Sequence, residues 1–383
     1  MKKILFLLPV VCFLVFPFHV MASEDIIPNA TSGILIEANT GKIIFEKEKD
    51  KEVAIASMTK MVAQILILEE VEKGTIKLDD KVVISKNAAD MGGSQIYLAE
   101  GEEMSIDDLM KGISVASAND ATVAMAEVIA GSEEKFVKMM NKKVKEIGLK
   151  HTTFKNCTGL DEEGHYSSAY DMAMIARYLV NNHPKILEYS SIYEDYLRED
   201  TDNRFWLTNT NKLIRFYNGA DGLKTGHTDA AKYCLAATAT RDNVRLIAIV
   251  LGEDDSKVRN SEAMALLDYG FSNVVVNTLK KKSDVVKKIK VDKATKEIVQ
   301  IVLKDDLNVV EDVSSKNLKY TYDIKVNDFS IPIKKGKEIG TIVAKYKGKS
   351  VASSKLTVIE DINKLSYLSL FKKTILDMIT GVY

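Results

Sequence analysis

The residues with the clearest potential for chemistry are Ser57 and Lys60, which lie in the run 56–60. Residues three apart share one face of a helix, so this spacing brings a hydroxyl next to an amine. A neutral amine in that position can take the serine proton and activate a nucleophile without a histidine. The same spacing occurs at 132–135 and 369–372, and serine is a favourable helix N-cap. Alone, the pair is compatible with a nucleophile or with an N-cap.

Two other polar groups lie downstream of this pair. The run 117–119 is Ser-Ala-Asn and interrupts an apolar helical pattern, while the run 224–226 is Lys-Thr-Gly and lies in a predicted strand. The first suits a break between helices and the second a strand that ends in a turn. Serine-x-asparagine also occurs at 85–87 and 315–317, whereas lysine-threonine-glycine occurs once. The three groups are thus predicted at a helix start, in a loop and on a strand.

Composition limits the classes of protein to which the chain can belong. It has 383 residues, of which 46% are hydrophobic and 28% charged, as expected for a globular protein with one large and one smaller domain. The formal net charge of -1 gives no overall field that favours nucleic acid. No zinc-type cysteine cluster or glycine-rich phosphate loop is visible, so neither a metal nor a cofactor is predicted.

The first 22 residues are typical of a secretory signal peptide. A basic start at 1–3 precedes an apolar stretch at 4–18, and small residues favour cleavage after Ala22. A retained membrane anchor is the alternative, but the apolar stretch is short for one. Export would place Cys157 and Cys234 in a compartment where disulfides can form, although their separation in sequence gives little support for a pair.

The segment 23–275 is predicted to mix helices and antiparallel strands. It begins with a hairpin whose turn is 39–41, and it contains strands at 222–226, 233–238 and 244–251. Ser105, followed by an acid three residues later, predicts a helix start, and another helix is predicted from Ser168 to Asn182. Further helices are expected after residue 60, at 134–148 and at 261–269, the last with Gly270 as its C-cap.

The character of the sequence changes near residue 275. Lysine-rich alternating runs at 285–291, 298–303, 320–326 and 341–346 predict a small β domain over 276–360 with a solvated lysine face. The segment 361–383 has apolar residues at helical spacing together with charges, which predicts an amphipathic helix lying on a membrane surface. The alternative is an ordinary helix packed on the β domain.

Taken together, these stretches resemble the low-molecular-mass D-alanyl-D-alanine carboxypeptidases, which are penicillin-binding serine acyl transferases with these three motifs. The resemblance implies an α+β fold: a β-lactamase/transpeptidase-like domain with an antiparallel sheet flanked by helices, then a small all-β domain and an amphipathic helix. One departure is Lys232, where the family usually has glycine. The similar stretches cover nearly the whole chain and include 33–45, 54–60, 112–121, 159–161, 165–171, 209–213, 221–228 and 266–271.

The resemblance implies a role for each catalytic group. Ser57 would attack the carbonyl of the penultimate D-alanine, with Lys60 as its base. Burial and the nearby cation Lys224 would lower the pKa of Lys60. Ser117 would relay a proton to the leaving amine, and Asn119 would hold Lys60 and bind the substrate amide.

The resemblance also implies a carboxylate site and an oxyanion hole. Lys224 and Thr225 would recognise the terminal carboxylate, and Gly226 would let the substrate lie close to the strand. Arg259 either supports this carboxylate site or is a surface arginine. The backbone N–H groups of Ser57 and His227 would form the oxyanion hole, so the His227 ring is not expected to act as a base.

The expected partners are peptidoglycan pentapeptide stems that end in D-Ala-D-Ala, β-lactams as covalent inhibitors, and a membrane surface contacted by the terminal helix. The expected location is outside the cell membrane, at its outer face or in the cell wall. A β-lactamase would use the same three motifs, but no Glu-x-x-Leu-Asn run occurs between Asn119 and Lys224. The same site could instead belong to a D,D-endopeptidase or, in a different class of protein, to a non-hydrolytic penicillin-sensing or wall-binding module.

Overall fold

The structure, a computed structural model, describes residues 25–380 except 200, 243, 314, 316, 317 and 328. The predicted signal peptide at 1–22 lies outside the described residues. The strands are β1 Ser32–Glu37, β2 Ile43–Lys47, β3 Lys81–Val83, β4 Glu103–Ser105, β5 Glu194–Leu197, β6 Phe205–Thr208, β7 Ala220–Thr228, β8 Lys232–Arg241, β9 Val244–Glu253, β10 Val274–Lys280, β11 Val285–Lys290, β12 Ile298–Leu303, β13 Leu307–Asp312, β14 Thr321–Val326, β15 Gly340–Tyr346 and β16 Lys349–Val358.

The helices follow the same order along the chain. They are α1 Lys60–Lys73, α2 Lys86–Ala89, α3 Ile106–Lys111, α4 Asn119–Ala130, α5 Glu133–Ile147, α6 Ala169–Asn182, α7 Ile186–Ser190, α8 Leu213–Phe216, α9 Ser256–Asn273 and α10 Tyr367–Thr380. A 3₁₀ turn at Ala56–Thr59 precedes α1, and a π-helical turn at Gly112–Ala116 precedes α4.

A five-stranded antiparallel sheet carries the larger part of the chain. Its strand order is β2-β1-β9-β8-β7, so the predicted hairpin and the three predicted strands lie in one sheet. Both faces are covered, because alternate residues of β9 enter different hydrophobic clusters. Leu246 and Ala248 pack with α9, whereas Ile247 and Ile249 pack with α1 and α6. The sheet flanked by helices confirms the predicted α+β class.

Helix α9 differs from its prediction at both ends. It begins five residues early, because the Asp255 carboxylate accepts hydrogen bonds from the N–H groups of Lys257 at 2.6 Å and Val258 at 3.2 Å. Gly270 is not a C-cap but lies inside the helix. A Cβ on Gly270 would lie 2.5 Å from a methyl group of Leu246, so glycine lets the helix pack closely on the sheet.

Serine caps explain several other helix starts. Ser105 and Ser168 accept hydrogen bonds from the N–H groups three residues later, at 3.1 and 3.2 Å, as predicted. Ser132 caps α5 in the same way, which accounts for the serine-lysine spacing at 132–135. Ser57 does not cap a helix: it lies inside the 3₁₀ turn, and neither that turn nor α1 has a side-chain N-cap.

The C-terminal β region forms a second sheet with its own hydrophobic cluster. The strand order is β11-β12-β16-β15-β14, while β10 pairs with β13. The four runs predicted as strands correspond to β11, β12, β14 and β15. Strands β10, β13 and β16 were not predicted. Lys287, Lys288 and Lys290 of β11 are exposed, as expected for a solvated face. The domain boundary after residue 275 stays a prediction.

Helix α10 presents apolar side chains to solvent. Leu368, Phe371 and Ile379 are 66%, 64% and 78% exposed, so they do not pack on the β region. Val382, the last apolar position of the predicted pattern, lies outside the described residues. Within the part of the chain that the structure describes, no helix has both the length and the apolar character needed to cross a bilayer.

Candidate active site

The turn before α1 brings Ser57 and Lys60 together. Ala56 adopts a left-handed conformation with φ of 47°, and the chain then turns through Ser57 into the helix. The Nζ atom of Lys60, the first residue of α1, lies 2.8 Å from the Oγ atom of half-buried Ser57. A cavity of about 370 Å³ opens beside this turn and is lined in part by Ala56, Leu160 and Ala230. The hydroxyl and amine are therefore in contact, and the cavity borders the turn that carries them.

The Lys60 amine is wholly buried among neutral oxygen atoms. Besides Ser57, it contacts Oδ1 of Asn119 at 2.6 Å and the carbonyl oxygen of Thr158 at 2.8 Å. Burial lowers the pKa of Lys60 to about 7, against the opposing effects of Cys157 and Asp120. A lysine whose pKa lies near neutrality can act as a base at physiological pH.

A glycine-containing loop orients the side chain of Asn119. The Asn119 Nδ2 atom donates to the carbonyl of Gly92 at 2.7 Å, and its backbone N–H donates to the carbonyl of Ser94 at the same distance. Gly93 between them has φ of +82°, and a Cβ there would lie 2.6 Å from Nδ2. These contacts leave Oδ1 directed at Lys60, as expected.

Ser117 and Lys224 form a second serine-lysine contact in the same cleft. The Lys224 Nζ atom donates to Oγ of Ser117 at 2.8 Å and to the carbonyl of Thr225 at 2.9 Å. Lys224 is only 1% exposed. Burial, followed by the positive charges of Lys60 and Arg259, holds the pKa of Lys224 well below its ordinary value. Repulsion between two cations is mutual, so Lys60 and Lys224 disfavour each other's charged forms.

Strand β7 runs directly beside the nucleophile turn. A Cβ on Gly226 would lie 2.6 Å from the carbonyl oxygen of Ile55 and 3.3 Å from the backbone nitrogen of Ser57. Glycine therefore permits this close approach. The hydroxyl of Thr225 donates to Oγ1 of Thr210 at 2.7 Å, which fixes its orientation.

His227 and Arg259 are the two remaining residues predicted for the site, and they lie on β7 and α9. The exposed ring of His227 stacks on Tyr233 with the ring centroids 4.1 Å apart. Arg259, in the first turns of α9, is 5% exposed, so the surface-arginine alternative is wrong. Its Nη1 atom donates to the carbonyl of Cys234 at 3.4 Å, and its charge acts on Lys224. Arg259 therefore lies against β8, the strand that pairs with the Lys224-carrying strand β7.

Two contacts at the site were not predicted. The carbonyl of Thr158 binds Lys60, and a backbone carbonyl leaves no signal in residue type. Thr210 accepts the hydrogen bond of the Thr225 hydroxyl. It lies in the stretch 209–213, and the resemblance of that stretch to the family was the only indication of a part in the site. Both residues come from segments distant in sequence from the motifs.

The structure also shows the state of Cys157 and Cys234 and the conformation of the unusual Lys232. Both cysteines are buried and free, so the disulfide considered for them is absent. Lys232 has φ of 55°, in the left-handed region that favours glycine, which explains the glycine usual at this position. Its side chain is largely exposed, with Nζ 3.9 Å from Oδ1 of Asp254.

Comparison with known proteins places this geometry in a family. Residues 19–255 match the D-alanyl-D-alanine carboxypeptidase family, and residues 276–364 match the family described as penicillin-binding protein 5, C-terminal domain. D-alanyl-D-alanine carboxypeptidase DacF of Bacillus subtilis is 47% identical over 356 residues, which are 93% of this chain and 91% of that protein.

Solved structures agree with this assignment. Penicillin-binding protein 5 of Haemophilus influenzae has a TM-score of 0.72 and 32% identity, covering 88% of this chain and 98% of that one. Penicillin-binding protein D2 of Listeria monocytogenes, in its ampicillin-bound form, has a TM-score of 0.57 and 31% identity, covering 63% of this chain and 97% of that one. The chain belongs to the D-alanyl-D-alanine carboxypeptidase family, peptidase S11, and carries that family's penicillin-binding protein 5 type of C-terminal domain.

Proposed function

We propose that the protein removes the terminal D-alanine from peptidoglycan pentapeptide stems through an acyl-enzyme on Ser57. The observation that carries this proposal is the 2.8 Å contact between the Ser57 hydroxyl and the buried amine of Lys60. The pKa of that amine, lowered to about 7, allows a neutral base at physiological pH. Membership of the carboxypeptidase family supports the same reaction.

In the acylation step, Ser57 loses its proton to Lys60 as Oγ bonds to the carbonyl carbon of the penultimate D-alanine. The carbonyl oxygen becomes an oxyanion, for which the backbone N–H groups of Ser57 and His227 are the proposed donors. The closeness of Gly226 to the nitrogen of Ser57 supports this assignment, because it brings the two backbones side by side. Losing one such donor typically slows a reaction by about a hundredfold or more.

Collapse of the tetrahedral intermediate breaks the peptide bond, and the leaving amine of D-alanine takes up a proton. Ser117 is the proposed relay for this proton, because it contacts Lys224 and lies two residues before Asn119, which contacts Lys60. A water molecule then attacks the acyl-enzyme, with Lys60 again as base. The products are the tetrapeptide stem and free D-alanine, and Ser57 is regenerated.

The terminal carboxylate is the group that identifies a carboxypeptidase substrate, and Lys224 with Thr225 is its proposed site. The low pKa of Lys224 reflects burial and neighbouring cations. A bound carboxylate would oppose that shift and favour the charged amine. Arg259 adds positive charge from behind β8. Because β7 is at the edge of its sheet, the substrate backbone can lie alongside it as an added strand.

A β-lactam would enter the same site, since it also presents a carboxylate and a carbonyl that can acylate Ser57. The ampicillin-bound form of the Listeria relative supports this expectation. The product is a covalent penicilloyl-enzyme.

The test is product analysis on a peptide that ends in D-Ala-D-Ala, together with labelling by a fluorescent penicillin. We expect release of free D-alanine and one label per molecule, both abolished by Ser57→Ala. Ser132→Ala is a matched control, because it removes the serine of the same four-residue spacing at an N-cap. Labelling without release of D-alanine would instead favour the penicillin-sensing module, and absence of labelling would exclude the acyl-enzyme.

We further propose that α10 lies on the outer face of the membrane after export. The exposed apolar side chains of Leu368, Phe371 and Ile379 support this placement. Removal of the chain after Ile362 should release the protein from lipid vesicles in a sedimentation assay while D-alanine release is retained. A truncated protein that still sediments with vesicles would rule out the helix as the anchor.

A further inference from the structure

His165 lies behind the nucleophile turn and belongs to none of the three motifs. The side chain is 7% exposed, and both ring nitrogens have partners. Nδ1 accepts a hydrogen bond from the backbone N–H of Lys155 at 3.2 Å, while Nε2 lies 2.8 Å from Oγ1 of Thr59. Because a backbone N–H only donates, Nδ1 is unprotonated, and the proton of the neutral ring is on Nε2.

The hydroxyl of Thr59 continues this hydrogen-bond chain to the nucleophile turn. It donates its only proton to the carbonyl oxygen of Ala56 at 2.8 Å. The hydroxyl must therefore accept the proton of Nε2 from His165. The hydrogen bonds thus run in one direction, from the N–H of Lys155 through the imidazole and the hydroxyl to the carbonyl that precedes Ser57.

Gly159 also approaches the carbonyl at the end of this hydrogen-bond chain closely. Gly159 has φ of +87°, and a Cβ there would lie 1.9 Å from the oxygen of Ala56. The preceding residue, Thr158, gives its carbonyl to Lys60. The segment 155–165 therefore contacts both the turn that carries the nucleophile and the amine that serves as its base.

We propose that His165 is a positioning residue that, through Thr59, fixes the Ala56 carbonyl and thereby the orientation of Ser57 for acylation. This role rests on the proposed function, because it concerns the same acyl-enzyme. His165 does not touch the reacting atoms and transfers no proton to them.

The series of hydrogen bonds from Lys155 to Ala56 requires the neutral form of the His165 ring. Burial lowers the pKa of His165 to about 4, against the acidic side chains of Glu162 and Asp161 and with the help of Lys155. A protonated ring would direct a second N–H at the N–H of Lys155, and two donors cannot bond to each other. The imidazole is therefore expected to stay neutral throughout the pH range in which Lys60 is active.

Three variants separate positioning from simple packing. His165→Leu removes the donor, Thr59→Val removes the hydroxyl at nearly constant shape, and His165→Gln keeps an N–H that can reach Thr59. We expect the first two to slow acylation by a fluorescent penicillin by about 10- to 100-fold, as small misplacements of reacting groups do. The Leu-Val double variant should be no slower than the slower single variant, and His165→Gln should recover most of the rate.

Wild-type acylation by His165→Leu or Thr59→Val, or multiplying effects in the double variant, would overturn the proposal. A ¹⁵N NMR spectrum gives a readout that does not depend on activity. The His165 signals, identified by their loss in His165→Gln, should show a protonated Nε2 and an unprotonated Nδ1 from pH 5 to 8. Protonation on Nδ1 would also overturn it. If fluorescent penicillin did not label the wild-type protein, the proposed function would fail, whereas the NMR spectrum would still report the tautomer of His165.

Discussion

The lysines of the catalytic cleft and those of the β region occupy opposite environments. Lys60 and Lys224 are 0% and 1% exposed, and their amines bond to neutral oxygens. In the β region, Lys304 has a partly exposed side chain that pairs with Glu338 at 2.9 Å. One residue type is thus a buried amine among neutral oxygens in one region and a solvated charge in the other.

The pKa shifts have opposite directions for the same reason. Burial lowers the pKa of Lys60 to about 7, whereas the hydrogen bond that Lys304 donates to Glu338 raises the pKa of Lys304. Desolvation dominates where an amine has no carboxylate partner, and a partner dominates where water still reaches the amine. The surroundings supplied by the fold, rather than the residue type, therefore decide which lysine can remove a proton.

The largest expected effect comes from Lys60→Arg. A guanidinium stays protonated at any working pH, so it keeps the positive charge but cannot act as a base. We expect acylation by a fluorescent penicillin to slow by about a thousandfold or more, within the range of general-base contributions. Lys304→Arg is the matched control and should acylate at the wild-type rate. A Lys60→Arg variant that retained more than a tenth of the rate would remove Lys60 from the role of base.

The pH dependence of acylation should depend on the buried Lys60 and not on Lys304 of the β region. Below the pKa of about 7, Lys60 becomes protonated and can no longer accept the Ser57 proton. The second-order rate should therefore fall about tenfold for each pH unit below that value and level off above it. Stopped-flow labelling between pH 5 and 8.5 measures this, with Lys304→Gln expected to leave the midpoint unchanged. A flat profile would contradict a base with a pKa near 7.

The smallest effect is expected in the β region itself. Lys304→Gln removes one member of an exposed ion pair, which should change the free energy of unfolding by less than about 1 kcal/mol. Urea titration at low salt and in 0.5 M NaCl should show a difference that salt diminishes, because exposed charges are screened. A loss of several kcal/mol that salt left intact would show that the β-region pair behaves like a buried one.

The sequence was most informative where local chemistry decides local structure. Ser105 and Ser168 were correctly predicted as helix starts, because an N-cap needs only a hydroxyl and the N–H three residues later. Ser57 met the same local criterion and does not cap a helix. Its partners Asn119 and Thr158 are far away in the chain, so its surroundings could not be read from neighbouring residues.

The parts that could not be predicted depend on packing between distant segments. The residue type of Gly270 indicated a helix end, but glycine is required there because α9 approaches Leu246 closely. Strand β16 was missed because its serines and lysines weaken the apolar alternation, although Leu356 and Val358 enter the core of the β region. The contact of His165 with Thr59 could not be predicted, because the two residues are 106 positions apart in the chain. The proton on Nε2 that this contact uses depends in turn on the hydrogen bond from the N–H of Lys155 to Nδ1.

The edge position of β7 bears on how the protein avoids aggregation through an unpaired strand. An unpaired sheet edge is a template on which another chain can aggregate, and folded proteins usually block it. Here Ser190 and Asn211 bond to carbonyls in the first half of β7, at 2.6 and 2.9 Å. In the second half, Lys224 and Thr225 are almost wholly buried. The edge is therefore partly covered along residues 221–225, which shortens the stretch on which the edge of another folded protein could pair with it.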